Sequence, residues 1–368
     1  MTKVMVGMSG GVDSTVTAYL LKHQGYDVEG VSFILWEARM KAAATACCSF
    51  QARESAAASA EALGIPLRTI DVRGAFYEKV IDPFIEAYQR GMTPNPCILC
   101  NKHIKFPYLL SAADEAEAAF IATGHYARVK MCKTSGVKPE ETKCLMKGID
   151  RKKDQSYVLY VLDKEQLERL WLPLGDYTKE QVRKIARSLG LAAAERPESQ
   201  EICFIEDNDY CRFLETLSPA VMQPGPIIGP DGRTIGAHQG IYRFTIGQRK
   251  GLGLASREPR FVIKIDTALN AVYVGSREDA MVREISADKI NWLLKPDSAA
   301  FRAAVKVRSM MAAVSASIVL KDNRAVIVFD EQQWAPAPGQ SAVMYVGDTV
   351  IGGGIISGSA EVQQDVSK

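Results

Sequence analysis

The chain has 368 residues, 47% hydrophobic and 24% charged, with a net charge of +2. That length suggests two or three domains, and the near-neutral balance excludes a global basic field, so any nucleic-acid partner must be held by local patches. No apolar run approaches the length of a membrane span. The start of the chain enters a strand at once, with no signal or transit peptide, and eight irregularly spaced cysteines fit a reducing, cytoplasmic setting better than a disulfide frame.

Val4-Met5-Val6 reads as a short buried strand, and Val16, Ala18, Tyr19, Leu20 and Leu21 as the apolar face of a helix. Val28 to Leu35 is a strand. Ala52 to Leu63 is an Ala-rich helix capped by Gly64, with Pro66 beyond it. Leu67 to Val72 is a strand, Tyr77 to Arg90 a helix, Phe106 to Ala119 a helix and Phe120 to Thr123 a strand. This alternation predicts βαβ units on a parallel sheet, with ligands at the strand C-termini. Residues 126–149 read as a hairpin with Ser135-Gly136 near its tip, and 150–200 as mostly helical, with Thr178 an N-cap and Gln181 its N3 partner. After about 205 the prolines and glycines from Pro219 to Gly232 read as loops at a boundary. Strands follow at Phe261 to Asp266 and Val272 to Gly275. From about 281 clean alternation, as in Ala304 to Arg308 and Arg324 to Phe329, predicts a small antiparallel barrel or sandwich. Ser341 to Tyr345 and Thr349 to Ile356 are expected to pair across Gly347-Asp348. The expected fold class is therefore α/β: a parallel-sheet domain at 1–207, a small central domain at 208–280 and a barrel-like domain at 281–368.

Gly7-Met8-Ser9-Gly10-Gly11-Val12-Asp13-Ser14 sits at the first strand-to-helix turn. Gly10 and Gly11 can take φ > 0 and expose bare backbone. The Ser9 and Ser14 hydroxyls and the first helical N–H groups are expected to face one spot, where the helix dipole favours an anion. A tight turn with capping serines would use the same residues. No Lys follows the glycines, so this is not a Walker A loop. S-G-G-x-D-S instead resembles the PP-loop of enzymes that split ATP between the α and β phosphates. That resemblance implies that Asp13 helps hold Mg²⁺.

Thr93-Pro94-Asn95-Pro96-Cys97-Ile98-Leu99-Cys100-Asn101 is a stiff, proline-held loop, and Ser199-Gln200-Glu201-Ile202-Cys203-Phe204 is a second cysteine loop far along the chain. A thiolate both attacks and carries sulfur, and Lys102 and His103 would favour it at Cys100. Read as structure alone, these are small buried hydrophobes, which is the reading given to Cys132, Cys144 and Cys211 and, less firmly, to Cys47 and Cys48. Zinc at Cys97-x-x-Cys100 lacks a second ligand pair at a usual spacing. His23 and His238 have no partners in sequence and read as structural.

GMSGGVDS (7–14), TPNPCILCN (93–101), ATGHYA (122–127), KDQSYVL (153–159), SQEICFI (199–205), GQRKGLG (247–253) and PGQSAV (338–343) together resemble the bacterial tRNA-specific 2-thiouridylases (the MnmA family) along nearly the whole chain. The resemblance implies a PP-loop (adenine nucleotide alpha hydrolase-like) domain followed by two tRNA-binding modules. It implies that ATP adenylates the carbon-2 oxygen of the wobble uridine and sulfur replaces it. By position it makes Gly7, Met8, Ser9, Gly10, Gly11, Val12, Asp13, Ser14, Phe33 and Gly124 the ATP site, Cys100 the first catalytic cysteine and Cys203 the persulfide carrier. Asn95, Pro96 and Cys97 then border the target base, and His125, Lys153, Asp154, Gln155, Arg308, Ser309 and Gln340 take tRNA-contact positions. Arg151-Lys152-Lys153 and Lys306/Arg308 are candidate phosphate contacts, otherwise solvated surface charge. The implied partners are tRNAs accepting Lys, Glu and Gln and a sulfur donor, either a cysteine desulfurase or a relay protein. No membrane is implied, and the free enzyme is expected to be a monomer.

Two positions depart from the family. Cys97 stands where Asp is usual, and Ser309 where an aromatic residue follows Arg308. Cys97, Cys100 and Cys203 together could ligate a four-iron cluster that binds sulfide. Another PP-loop amidotransferase or synthetase would explain residues 9–14 but not the cysteine loops. A non-catalytic tRNA-binding dithiol protein would leave the ATP loop unexplained.

Overall fold

The computed structural model describes residues 1–36, 50–133, 141–191, 202–205, 207–255 and 258–359. The chain divides into two compact units. One comprises Met1–Ile81, Pro96–Asp209 and Asp348–Ile351; the other comprises Asp82–Asn95, Tyr210–Gly347 and Gly352–Lys368.

The first unit is built on β1 (Lys3–Gly7), β2 (Asp27–Ile34), β3 (Leu67–Asp71), β4 (Phe120–Ala122), the hairpin strands β5 (Ala127–Lys133) and β6 (Glu141–Lys147), and β7 (Leu170–Trp171). Five of these form a parallel sheet in the order β3-β2-β1-β4-β7. Val4, Met5 and Val6 of the central strand are fully buried, as a strand covered on both faces requires. The chain runs outward from β1 to β3, then returns to β4 on the other side of β1. The C-terminal ends of β1 and β4 therefore flank the topological switch point, where this architecture opens a crevice. α1 (Val12–His23) follows β1, and α2 (Phe50–Leu63) follows β2 and ends at Gly64, whose φ of +58° makes the expected left-handed cap.

Several elements differ from the sequence reading for identifiable reasons. The expected helix from Tyr77 is a helical run from Arg73 with a π turn at Tyr77–Ile81; a second π turn spans Asn101–Lys105. Each π turn ends just ahead of a proline, Pro83 or Pro107, and a wide turn relieves the clash of the ring with the preceding carbonyls. The helix at Phe106–Glu115 stops short of Ala119 because Glu117 takes φ 52° in a Schellman-type ending, with Ala118 N–H donating to the Ala113 carbonyl. Glu117→Gly should therefore raise the unfolding free energy by about 0.5–1 kcal/mol, read from a urea midpoint. Residues 150–191 hold short helices and the two-residue β7, too brief to show any period.

The hairpin β5–β6 pairs Ala127 with Lys147 and Lys133 with Glu141, and Ser135-Gly136 at its expected tip lies outside the described residues. Cys132 and Cys144 are not separate buried hydrophobes: a disulfide joins them. The register sets Cys132 opposite Thr142, two residues from Cys144 on the same face, with the Cα atoms 5.9 Å apart. No helix among the described residues is long and apolar enough to cross a membrane.

In the second unit β8 (Gly225–Ile228), β9 (Thr234–His238), β10 (Phe261–Asp266) and β11 (Ala271–Gly275) form a sheet in the order β10-β11-β8-β9. β8 lies in the stretch read as loops, and β9 directly follows it. Pro224 and Pro226 hide β8, and its parallel pairing with β11 is the long-range contact that supports it. β12 (Met281–Trp292), β13 (Ala300–Lys306), β14 (Val314–Lys321), β15 (Arg324–Trp334), β16 (Ser341–Val346) and β17 (Thr349–Ser359) run in the order β12-β15-β14-β13-β16-β17. Pairing of β12 with β17 closes the ring, so the module is a barrel and not a sandwich. Its filling comes from alternate residues such as Ala316 and Ile318 on β14 and Ala325, Ile327 and Phe329 on β15.

Candidate active site

The turn after β1 is shaped by backbone packing. Gly10 takes φ +77°, and a Cβ there would sit 2.3 Å from the Ala52 carbonyl of α2. Ser55 Oγ donates to the Gly10 carbonyl at 2.8 Å, fixing the loop on α2. Gly11 is different from expectation: it is an extended N-cap at φ −88° and needs no glycine freedom. It caps α1 with no side-chain hydrogen bond, which leaves the first N–H groups of the helix available to an anion. Ser9 Oγ and Ser14 Oγ lie 3.5 Å apart, as the sequence reading requires, and Ser14 Oγ also accepts from Ser9 N–H and donates to the Gly11 carbonyl. Phe33 is half-buried near the C-terminal end of β2, in register with Ile70 of β3.

Gly124, just after β4, presses on this turn: a Cβ would lie 2.8 Å from the Asp13 carbonyl carbon and 2.9 Å from Ser14 N. Asp13 is held from two further sides that the sequence reading missed. The Lys179 ammonium lies 2.7 Å from each carboxylate oxygen, and the Tyr126 hydroxyl donates to Oδ1 at 2.7 Å. Lys179 opens the helix Lys179–Ser188, whose Thr178–Gln181 capping box forms as expected. The one local signal was a lysine in a first helical turn, where acidic residues are favoured. Val12, Val16, Tyr126, Leu174, Val182 and Ala186 pack between that helix and α1. His125 stacks on Phe106 and its Nδ1 lies 2.8 Å from Thr123 Oγ1. Burial first, then Lys105, pushes its pKa down to about 3, so it is neutral at the mouth of the turn.

Cys100 is buried at the end of the short helix Pro96–Cys100, which Pro96 opens. Buried Asn101 pins the next turn through Nδ2 to the Val158 carbonyl at 3.0 Å, tying TPNPCILCN to KDQSYVL. Cys203 is half-buried in a turn whose neighbour Phe204 meets Phe76 edge-on at 5.7 Å. Phe76 leads into the π turn Tyr77–Ile81, against which the Cys100 helix packs, so both cysteines stand on one support. The expected cationic help from His103 is absent. Desolvation, then Lys102 and Lys79, hold its pKa below the usual value, which leaves Lys102 as the adjacent cation.

The geometry lends the iron–sulfur reading no support. Cys97 is exposed while Cys100 is buried, and among the described residues no three His, Cys, Asp or Glu side chains gather to hold a metal ion.

Several residues expected at tRNA contacts do internal work. Asp154 accepts from Gly148 N, Ser156 N and Ser156 Oγ, and Gln155 Oε1 accepts from Tyr126 N. Arg151 pairs with Asp348; that contact raises the Arg151 pKa and lowers that of Asp348. Lys152 is exposed and Lys153 half-buried. In the second unit Lys306 is buried and not on the surface, and Arg308 Nη2 donates to the carbonyls of Ile246 and Ala335. Ser309 is half-buried beside it. Gln340 Nε2 donates to the carbonyls of Thr93 and Pro94, so it holds the residues that precede Asn95.

Residues 2–207 match the family model described as a tRNA methyl transferase HUP domain, 212–276 a tRNA methyl transferase PRC-barrel domain, and 282–356 an aminomethyltransferase beta-barrel domain. A protein of Clostridioides difficile (strain 630), "tRNA-specific 2-thiouridylase MnmA", is 44% identical over 360 residues, covering 97% of this chain and 98% of its own. "tRNA-specific 2-thiouridylase MnmA 2" of Thermoanaerobacter sp. (strain X514) is 44% identical over 361 residues, covering 96% and 97%. Among solved structures, a 4-thiouridine synthetase–RNA complex with bound ATP aligns at 16% identity and TM-score 0.35, over 59% of this chain and 50% of that one.

Proposed function

The chain belongs to the family of tRNA-specific 2-thiouridylases, and from that premise we propose that it transfers sulfur to carbon 2 of the wobble uridine of tRNA at the expense of ATP. The observation that carries this reading is the pairing, within one unit, of an anion-binding turn at the sheet's switch point with Cys100 and Cys203 on a common support. The family descriptions speak of methyl transfer; two cysteines in the same unit as a nucleotide turn favour sulfur chemistry instead.

Residues 7–14 with Phe33 and Gly124 bind ATP in this reading, and the α1 N–H groups take phosphate charge. The Asp13 carboxylate, a hard oxygen donor at that turn, fits Mg²⁺, which when bound would neutralise phosphate charge. The carbon-2 oxygen attacks the α phosphate and diphosphate leaves. The terminal sulfur of a Cys203 persulfide then adds to carbon 2 and AMP departs. Cys100 thiolate attacks Cys203 Sγ, releasing the thiolated base and leaving a Cys100–Cys203 disulfide for an external thiol to reduce. The target base has to leave the anticodon stack to reach these groups. Cys97 replaces a carboxylate beside them, so the base is oriented without that charge. Residues 1–207 form the catalytic domain in this scheme, and 208–280 with 281–368 hold tRNA. Acceptors are the Lys, Glu and Gln tRNAs, the donor is a desulfurase or relay protein, and the setting is the cytoplasm.

Nucleoside mass spectrometry tests the reading. Unmodified tRNA with the protein, ATP, Mg²⁺ and a persulfide donor should yield 2-thiouridine, and Cys203→Ser should yield none. AMP release without thiolation would show that the donor is wrong; absence of both would remove the thiolase reading.

A further inference from the structure

Lys179 is buried, and its ammonium bridges both oxygens of Asp13. The Tyr126 hydroxyl already donates to the carboxylate, and Asp13 lies in the first turn of α1, where the dipole favours a negative charge without help. Lys179 itself is the first residue of its helix, the end at which a dipole repels a cation. Asp150 accepts the backbone N–H of Lys179 at 3.0 Å, so the ammonium is not used on its own helix end. A buried ammonium, a hydroxyl donor and the uncapped end of α1 thus converge on the Asp13 carboxylate at the turn Gly7–Ser14, while the Asp150 carboxylate holds the Lys179 backbone. Donors gathered at one turn suit a phosphate as well as a carboxylate.

We propose that Lys179 is a phosphate-binding residue of the nucleotide turn, held in reserve by Asp13. The proposal rests on the ATP-using reading above. When the nucleotide enters, the Asp13 carboxylate turns to the metal ion and the ammonium turns to the diphosphate portion. As the bond between the α and β phosphates breaks, its electron pair goes to the departing diphosphate, and the Lys179 charge stays with it; no proton moves. The Lys179 ammonium also lies over the Tyr126 ring, 5.5 Å from the centroid.

The test is calorimetric binding of α,β-methylene-ATP and of AMP to the full chain, each in EDTA and in Mg²⁺. Lys179→Met should weaken the triphosphate analogue by about tenfold or more and leave AMP within about twofold, since only the former carries the added charge. Lys179→Arg should retain most of the affinity. Should Lys179→Met fail to fold, the Asp13→Asn, Lys179→Met double variant removes both charges of the pair and is compared in EDTA with Asp13→Asn alone. Equal effects on AMP and on the analogue, or no effect on either, overturn the proposal while the ATP-binding reading stands. Wild-type protein that binds neither nucleotide overturns both.

Discussion

Gly10→Ala is expected to lower the unfolding free energy by about 3 kcal/mol and to abolish tRNA-dependent AMP release, whereas Gly11→Ala, one residue along, should leave the stability unchanged. The added Cβ at Gly10 would stand 2.3 Å from the Ala52 carbonyl, 3.0 Å from Ser55 Cβ and 3.1 Å from Ala56 N. Two of those three atoms are α2 backbone, which no rotamer change can move. The residue also sits at φ +77°, which costs a side-chain-bearing residue about 1–2 kcal/mol. Shifting α2 to make room costs a further 1–3 kcal/mol, roughly the range for overpacking. The Ser55 bond to the Gly10 carbonyl would be strained at the same time. At Gly11 the Cβ would meet only Ser9 Oγ, at 3.6 Å, and φ is −88°. Urea midpoints for the two variants measure the stability difference, and AMP release measures the turn. Equal behaviour of the two would mean that packing on α2 does not set the loop.

That contrast also marks the limit of what the residues alone can say. The turn was legible because its signal is local: an apolar strand, glycines and an amphipathic helix within 21 residues. Which glycine bears the strain was not legible, because the answer lies in α2, some 40 residues away. The Asp13–Lys179 pair is separated by 166 positions, and no spacing rule reaches that far. The Thr178–Gln181 capping box beside it is local and was found. The same division runs through the fold. Alternation along β13 and β15 identified them, but closure of the barrel depends on β12 meeting β17. Prolines concealed β8, whose place is set by β11. Lys306 and Arg308 read as phosphate contacts or surface charge in sequence, yet Lys306 is buried and the half-buried Arg308 is held by backbone carbonyls, since a charged residue with internal partners has no signature of its own.

The His125 imidazole is expected to make the protein lose stability as pH falls from 6.5 toward 4.5, and His125→Asn should flatten that slope. The folded pKa is pushed down to about 3 by burial and by Lys105. The unfolded value is about 6.5. Above pH 6.5 both states hold the ring neutral, and it adds no pH dependence. Below that, the unfolded chain binds a proton that the folded chain refuses. Stability therefore rises with pH across this window, by at most about 1.4 kcal/mol for each unit. Asn keeps a polar atom where Nδ1 meets Thr123 Oγ1 but has no proton to take up. His103 and His238 have lowered pKa values of their own, but they are present in both proteins and cancel in the comparison. The difference between the two urea-midpoint profiles from pH 8 to 4.5 isolates position 125. Parallel profiles would mean that the ring protonates freely. A widening gap below pH 6.5 would show that the ring is neutral in the folded protein. In that state it can accept or donate one hydrogen bond but can lend no charge to a phosphate, so the cationic work of that turn falls to Lys179 and the α1 N–H groups.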